Sequence, residues 1–209
     1  IAFEKAGILK RGRPAAISRN RDSVVAVFEE VAASVGAGPL AIGGRDFMAF
    51  EEHGRLVFQD EDGLLDLTLP RLPGRHQLQN AGTAIAALRL SGLGVPQSAI
   101  KRGLETVEWP ARLQRLTHGP VVDAAPPGSE IWLDGGHNPG AGEVVATAMA
   151  DLEERVDRPL FLVAGMLTTK DPAGFFAPFQ GLARHVFMVP VPGSDASWDP
   201  EALAEAARA

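Results

Sequence analysis

The sequence predicts an α/β fold in two domains, on three observations. In the second half, the short apolar runs EIWLD, PLFLVAGM and HVFMVPV are separated by helical patterns. Buried runs that alternate with helices call for parallel strands joined by right-handed crossovers. In the first half, FMAFEE, RLVFQ and LLDLTLP are separated by HG and by the turn signal DEDG, which reads as a hairpin. The rhythm changes at Glu108-Trp-Pro-Ala111, so residues 1–108 read as one domain, 109–111 as a linker and 112–209 as a second domain.

The elements follow in order. IAFEKAGILK reads as the last turns of a helix with Gly7 near its end, and PAAIS as a short strand. Ser23 to Val35 carries Val24, Val27, Phe28, Val31 and Val35 at helical spacing. After the three strands, PGRHQLQNAGTAIAALRLSGLG turns helical, with Ala81, Ala84, Ile85 and Leu88 on one stripe and Gly92 and Gly94 as stops. PQSAIKRGLETV begins a further helix with Pro96 where proline is tolerated. In the second domain, helices are expected from Pro139 to about Arg155, from about Asp171 and from about Pro200. Ile1 is not an initiator Met, and DPEALAEAARA stops inside a helical pattern. Both ends therefore read as interior to a longer protein.

Composition narrows the function classes. The net charge of −6 argues against a broad nucleic-acid footprint, which needs clustered cations. No apolar run has membrane-spanning length. The absence of cysteine excludes disulfides and thiolate metal sites, and it suits a reducing cytoplasm.

Chemistry concentrates in a few places. EIWLD stops on Asp134-Gly-Gly-His-Asn-Pro-Gly140. Asn138 before Pro139 is a good helix start, so one reading is a capped turn with a surface histidine. The other reading is a carboxylate for a ribose hydroxyl at a strand end, with His137 beside the nucleotide or its phosphate. Asp134, Gly165 and Pro190 all stand at the carboxyl ends of strands, where ligands gather in such sheets. Lys170-Asp171 allows the same pair of readings, since Asp171 can cap the helix that follows. Arg112 reads as a solvated arginine, Asn80 as a helix cap and Lys5 as an exposed helix-end lysine; His76 and Gln77 read either way. H-E-x-x-H, G-x-S-x-G and G-x-x-x-x-G-K-[ST] are absent.

In order, EKAGILK, LPGRHQLQNAGTAIAAL, WPARLQ, LDGGHNP and GMLTTKD resemble the folylpolyglutamate synthase/dihydrofolate synthase family, ligases of the Mur-ligase type. The resemblance runs from Ile1 to Ala209 and covers the later part of that family's chain. It implies the end of a Mur-ligase-type central ATPase domain, followed by a Rossmann-like C-terminal domain with a mostly parallel sheet. The P-loop, the magnesium-binding Ser, Glu and His, and much of the pterin site would precede Ile1. Lys5 looks like the lysine that is carbamylated, becoming an anionic oxygen ligand beside magnesium. Asn80, Arg112 and Asp134 match positions that contact ATP. His137 matches the histidine of D-G-A-H-N-P, with Gly136 in place of Ala. Lys170 and Asp171 match catalytic positions, and Thr169 departs mildly from the acid or polar residue usual there.

The reaction implied is ATP- and Mg2+-dependent joining of L-glutamate to a folate or dihydropteroate carboxylate through an acyl phosphate. A monomer acting in the cytoplasm is implied, with no nucleic-acid or membrane partner. Domain closure would bring Asp134 and His137 to the nucleotide, and the glycines would let it approach. Without a P-loop the chain alone is expected to be inactive. Asp134 and His137 are expected at the open sheet end, where their removal costs little stability. A non-catalytic nucleotide-binding α/β module and a structural fragment are the rival readings.

Overall fold

The computed structural model describes residues 1–208, and the chain divides into two units, Ile1–Glu108 and Trp109–Ala209. Unit 1 opens with α1 (Ala2–Ala6), β1 (Ala15–Ile17), α2 (Asp22–Val35) and β2 (Leu40–Ile42). α2 stops on Gly36, whose left-handed backbone (φ 71°) lets its neighbourhood close on the carbonyls of Ala32 and Ala33. That stop returns the chain so that β2 pairs parallel with β1, and Ile17, Val25 and Ile42 are buried between helix and strands.

A meander follows, β3 (Met48–Glu52), β4 (Arg55–Asp60) and β5 (Gly63–Thr68), antiparallel throughout. The first turn places His53 (φ 50°) and Gly54 (φ 73°) between Glu52 and Arg55. Two positive φ values in a two-residue loop match the twist of the strands. DEDG makes the second turn as expected, with Asp60 opposite Gly63. Leu56, Phe58 and Leu67 are fully buried under α3 (His76–Leu90) and α4 (Gln97–Thr106). The buried stripe of α3 is Gln77, Ala81, Gly82, Ile85 and Ala86, while Ala84 faces outward, contrary to the sequence reading. Gly82 explains the rotation. A Cβ there would overlap the side chain of Ala49, so the helix lies directly on β3 along its bare face.

Unit 2 runs β6 (Gln114–Leu116), α5 (Pro120–Ala124), β7 (Ile131–Leu133), α6 (Pro139–Glu153), β8 (Leu160–Ala164), α7 (Pro172–Phe176), a 3-10 turn at Ala177–Phe179, β9 (Ala183–Met188) and α8 (Pro200–Ala206). β8 and β9 pair parallel, as the alternation predicts. β7 does not join them. Its hydrogen-bonded neighbour is β6, antiparallel, so the mostly parallel sheet expected for this half is not what the described strands form. Apolar runs report that strands are buried, not which neighbours they take, and the polar triplet QRL carries no strand period. The core collects Ala146, Met166, Phe175, Phe176, Phe179 and Leu203. Phe175 meets Phe176 edge-on, with ring centroids 5.0 Å apart. No helix among the described residues is long and apolar enough to cross a membrane.

One carboxylate ties three segments of unit 2. Glu130 accepts from Arg158 at 2.9 Å and from Arg115 at 3.0 Å. The hydrogen bond from Arg158, with Arg115 and the Trp132 indole adding to it against partial desolvation, holds the Glu130 carboxyl below its ordinary range. A depressed folded value means stability that is present above the unfolded pKa and lost as pH falls through the folded one. The drop in urea midpoint between pH of about 7 and about 3 is therefore expected to be smaller in Glu130→Gln than in the wild type.

The close glycine contacts give a second expectation. Gly82→Ala and Gly142→Ala, the latter placing a methyl on the Phe175 carbonyl, should each cost about 1–3 kcal/mol in chemical denaturation. Gly103→Ala, at a helical glycine open to solvent, should instead be neutral or stabilising.

Candidate functional site: the turn after β7

β7 ends on Asp134, whose half-buried carboxylate is already at work in the fold. Its Oδ2 accepts from the Leu113 amide at 2.8 Å, and its Oδ1 accepts from the Gly136 amide at 2.7 Å. Beside these, the Gly135 amide donates to the Ala111 carbonyl at 2.9 Å. Residues 111–113 are thus tied to 134–136 by two backbone amides, one from each segment.

The tie holds an unusual backbone. Ala111 (φ 56°) and Leu113 (φ 43°) both lie in the left-handed region. For residues with a Cβ this costs on the order of 1 kcal/mol or more each, and it persists only where the surroundings over-determine it. Leu113 is anchored by burial at 3% exposure, and the Ala111 amide donates to Gln114 Oε1 at 3.0 Å. Between these two sits Arg112, exposed and without a hydrogen bond or ion pair among the described residues. A guanidinium on a fixed turn, with no internal carboxylate, is available to an external anion.

His137 is fixed by its own loop. Its Nδ1 lies 2.9 Å from the Gly135 carbonyl, and a carbonyl only accepts, so Nδ1 carries the proton. With Nδ1 so engaged, Nε2 is the ring nitrogen left for a ligand. Asn138 caps α6, its Oδ1 accepting from the Ala141 amide at 3.0 Å, with Pro139 in the first turn. Gly136 has a steric reason: a Cβ there would stand 2.9 Å from Asp134 Oδ1 and 3.0 Å from the Ala141 methyl. Glycine lets the carboxylate fold back onto the Gly136 amide.

Asp171 is the N-cap of α7, its Oδ1 accepting from the Gly174 amide at 3.0 Å. The starts of α6 and α7 lie against each other, since a Cβ on Gly174 would meet the Pro139 ring at 2.7 Å. Lys170 is half-buried just before this cap, with its amide on the Leu167 carbonyl at 3.0 Å. Unit 2 therefore gathers Arg112, Asp134 and His137 on one pair of bonded turns and sets Lys170-Asp171 beside the helix that leaves it.

Unit 1 holds the remaining candidates. Lys5 is exposed in the last turn of α1 and pairs with Glu4 at 3.3 Å. Asn80 is not a cap, because α3 begins at His76; its Nδ2 donates to Gln77 Oε1 at 3.0 Å. Among the described residues no three His, Asp or Glu side chains stand where they could hold a metal ion.

The comparisons with known proteins bear on this arrangement. Folylpolyglutamate synthase of Lacticaseibacillus casei is 33% identical over 217 residues, covering 99% of this chain and 46% of that protein. The structure of Escherichia coli FolC in complex with DHPP and ADP matches with a TM-score of 0.81 at 30% identity. That match covers 99% of this chain and 46% of the other.

The chain belongs to the folylpolyglutamate synthase/dihydrofolate synthase family.

It matches the C-terminal part of these relatives and spans about half their length. A further family structure, a bifunctional folylpolyglutamate synthase/dihydrofolate synthase with Mn, AMPPNP and L-glutamate bound, has a TM-score of 0.79 at 28% identity. It is matched over 98% of this chain and 45% of its own. No protein-family model matches the chain.

One feature of the turn was not legible in the motif. A backbone partner of Asp134, Leu113, lies 21 residues upstream, and no local signal joins the two stretches. The sequence reading that Asp134 is dispensable for stability is accordingly corrected, because its loss orphans two amides and releases two strained residues. Asp134→Ala should cost about 1–3 kcal/mol in urea unfolding. His137→Ala, which removes one exposed hydrogen bond, should leave the midpoint nearly unchanged.

Proposed function

We propose that this chain is the C-terminal part of an ATP-dependent ligase that joins L-glutamate to a folate or dihydropteroate carboxylate. On this reading residues 1–108 end a central ATP-binding domain, 109–111 form a linker, and 112–209 are a Rossmann-like C-terminal domain of the Mur-ligase type. One observation carries the reading most: the bonded pair of turns that carries an unpaired Arg112 on one side and Asp134 and His137 on the other, on a chain of this family. Family structures with ADP, and with AMPPNP, Mn and L-glutamate, support the choice of ligands.

The residues divide the work by chemistry. Each oxygen of Asp134 accepts one amide and keeps lone-pair capacity for a ribose hydroxyl. Arg112 offers a charge-assisted fork to phosphate, and His137 presents Nε2 to the same ligand. Within unit 1, Asn80 offers a side-chain amide that can hydrogen-bond a nucleotide. Lys170 adds positive charge near the transferred phosphoryl group, with Asp171 beside it, and preorganised cations of this kind stabilise charge that develops in the transition state.

A substrate carboxylate oxygen attacks the γ-phosphorus of ATP, ADP leaves, and an acyl phosphate forms. The glutamate amine then attacks the acyl carbon, phosphate leaves, and the amine's surplus proton passes to solvent. A divalent metal would accompany the nucleotide, and the described residues of this chain do not by themselves make its site. Lys5, if carbamylated, would supply one oxygen ligand to it. The protein is proposed to act as a cytoplasmic monomer.

Phosphate release with ATP, magnesium, a folate substrate and glutamate tests the reading. The full-length protein that carries this chain should turn over, and the chain alone should not. Within the full-length protein His137→Ala should lower kcat/KM more than tenfold, above about 1.4 kcal/mol of transition-state stabilisation, with an unchanged melting temperature. Lys5→Ala should lower the rate sharply, with partial recovery from added small carboxylates. Nucleotide binding without turnover in the full-length protein would instead favour the non-catalytic module, and turnover by the chain alone would sink the fragment reading.

A further inference from the structure

Gln77 is the buried polar side chain among the described residues, 6% exposed and set within the apolar stripe of α3. A buried amide is tolerated when both of its ends are bonded, and here both are. Its Nε2 meets His76 Nε2 at 3.0 Å, and its Oε1 accepts from Asn80 Nδ2 at 3.0 Å. An amide nitrogen only donates and its oxygen only accepts, so the relay has a direction. His76 offers a ring lone pair, Gln77 donates to it, and Asn80 is held with its nitrogen turned toward Gln77.

That direction decides what Asn80 shows to a ligand. Its Oδ1 and one Nδ2 hydrogen stay outside the relay, an acceptor and a donor side by side. Adenine presents the matching pair on one edge, the N6 amine as donor and N7 as acceptor. Guanine presents two acceptors on that edge, O6 and N7, so Oδ1 would face another oxygen. Were Asn80 free to turn over, its nitrogen could answer either base.

We infer that Gln77 is a positioning residue that fixes the amide of Asn80 and thereby selects an adenine nucleotide over a guanine nucleotide. The inference rests on the nucleotide-binding reading of Asn80 proposed above. The burial of Gln77 is what makes the lock firm, since breaking either bond would leave a polar atom unsolvated.

Calorimetric titration of ADP and of GDP into the full-length protein that carries this chain tests it. The variants are Gln77→Met, Gln77→Glu, Asn80→Ala and the double Gln77→Met/Asn80→Ala, each checked for folding by its melting temperature. The wild type should prefer ADP by about tenfold or more, the scale of one good bidentate pair. Gln77→Met should cut that preference at least fivefold, by about 1 kcal/mol. Gln77→Glu keeps an oxygen for Asn80 to donate to and should retain most of the preference. With Asn80→Ala in place, Gln77→Met should change the ratio no further.

A merely structural Gln77 would weaken both nucleotides alike. An unchanged ratio in Gln77→Met, with ADP affinity lost in Asn80→Ala, overturns the inference and spares the nucleotide reading. Unchanged ADP affinity in Asn80→Ala overturns both. If Gln77→Met does not fold, Asn80→Asp decides, because an aspartate cannot donate to Gln77; a retained ADP preference there counts against the relay.

Discussion

The Asp134 carboxylate is the interaction on which the rest of the candidate site depends. It links the turn before β6 to the turn after β7, where the β6–β7 ladder ends, by taking one amide from each. Through Leu113 it supports a backbone that L-residues avoid, and through Gly136 it shapes the turn that carries His137. A neutral side chain of the same size could accept one of these bonds well and the other poorly. An ionised carboxylate accepts both and still has lone pairs to offer, so structural and ligand-binding duties need not compete.

Around that carboxylate the geometry is set by missing side chains. Gly136 admits the fold-back of Asp134, Gly142 lets α6 press on the Phe175 backbone, and Gly174 receives the Pro139 ring. The two helix starts are thereby brought together, each closed by its own side-chain cap. The same device recurs in unit 1, where Gly82 seats α3 on β3 and so turns Gln77 inward. A polar residue reaches the interior because a glycine five positions later allows the helix to lie that way.

What could be read in advance was local. Asn138-Pro139 and Asp171-Pro172 announce capped helix starts, and both caps are formed. DEDG announces a hairpin because its residues accept the required backbone, and that turn is made; HG, read only as a break between strands, makes a two-residue turn as well. Three things were out of reach. β6 is a polar triplet defined by its partner rather than its own pattern, so β7 was assigned to the wrong ladder. Asn80 was read as a possible cap, but α3 starts at His76, which puts Asn80 on the second turn and in reach of Gln77. Asp134 looked free because one of its two partners, the Leu113 amide, lies far away in sequence. Family resemblance singled out the candidate residues, yet it did not show that several of them already hold the fold together.

The meander of unit 1 has a consequence for the order in which the chain gains structure. β3, β4 and β5 are joined by two-residue loops, so the entropy lost in closing them is near the minimum for any strand pairing. β1 and β2, by contrast, are separated in sequence by the whole of α2, so their pairing closes a longer loop. Hairpins of this kind assemble in microseconds, and contacts of short sequence separation form ahead of distant ones. The meander, with Leu56, Phe58 and Leu67 on its inner face, is thus the early template of unit 1. α3, with the Gln77 relay, docks onto a surface that already exists.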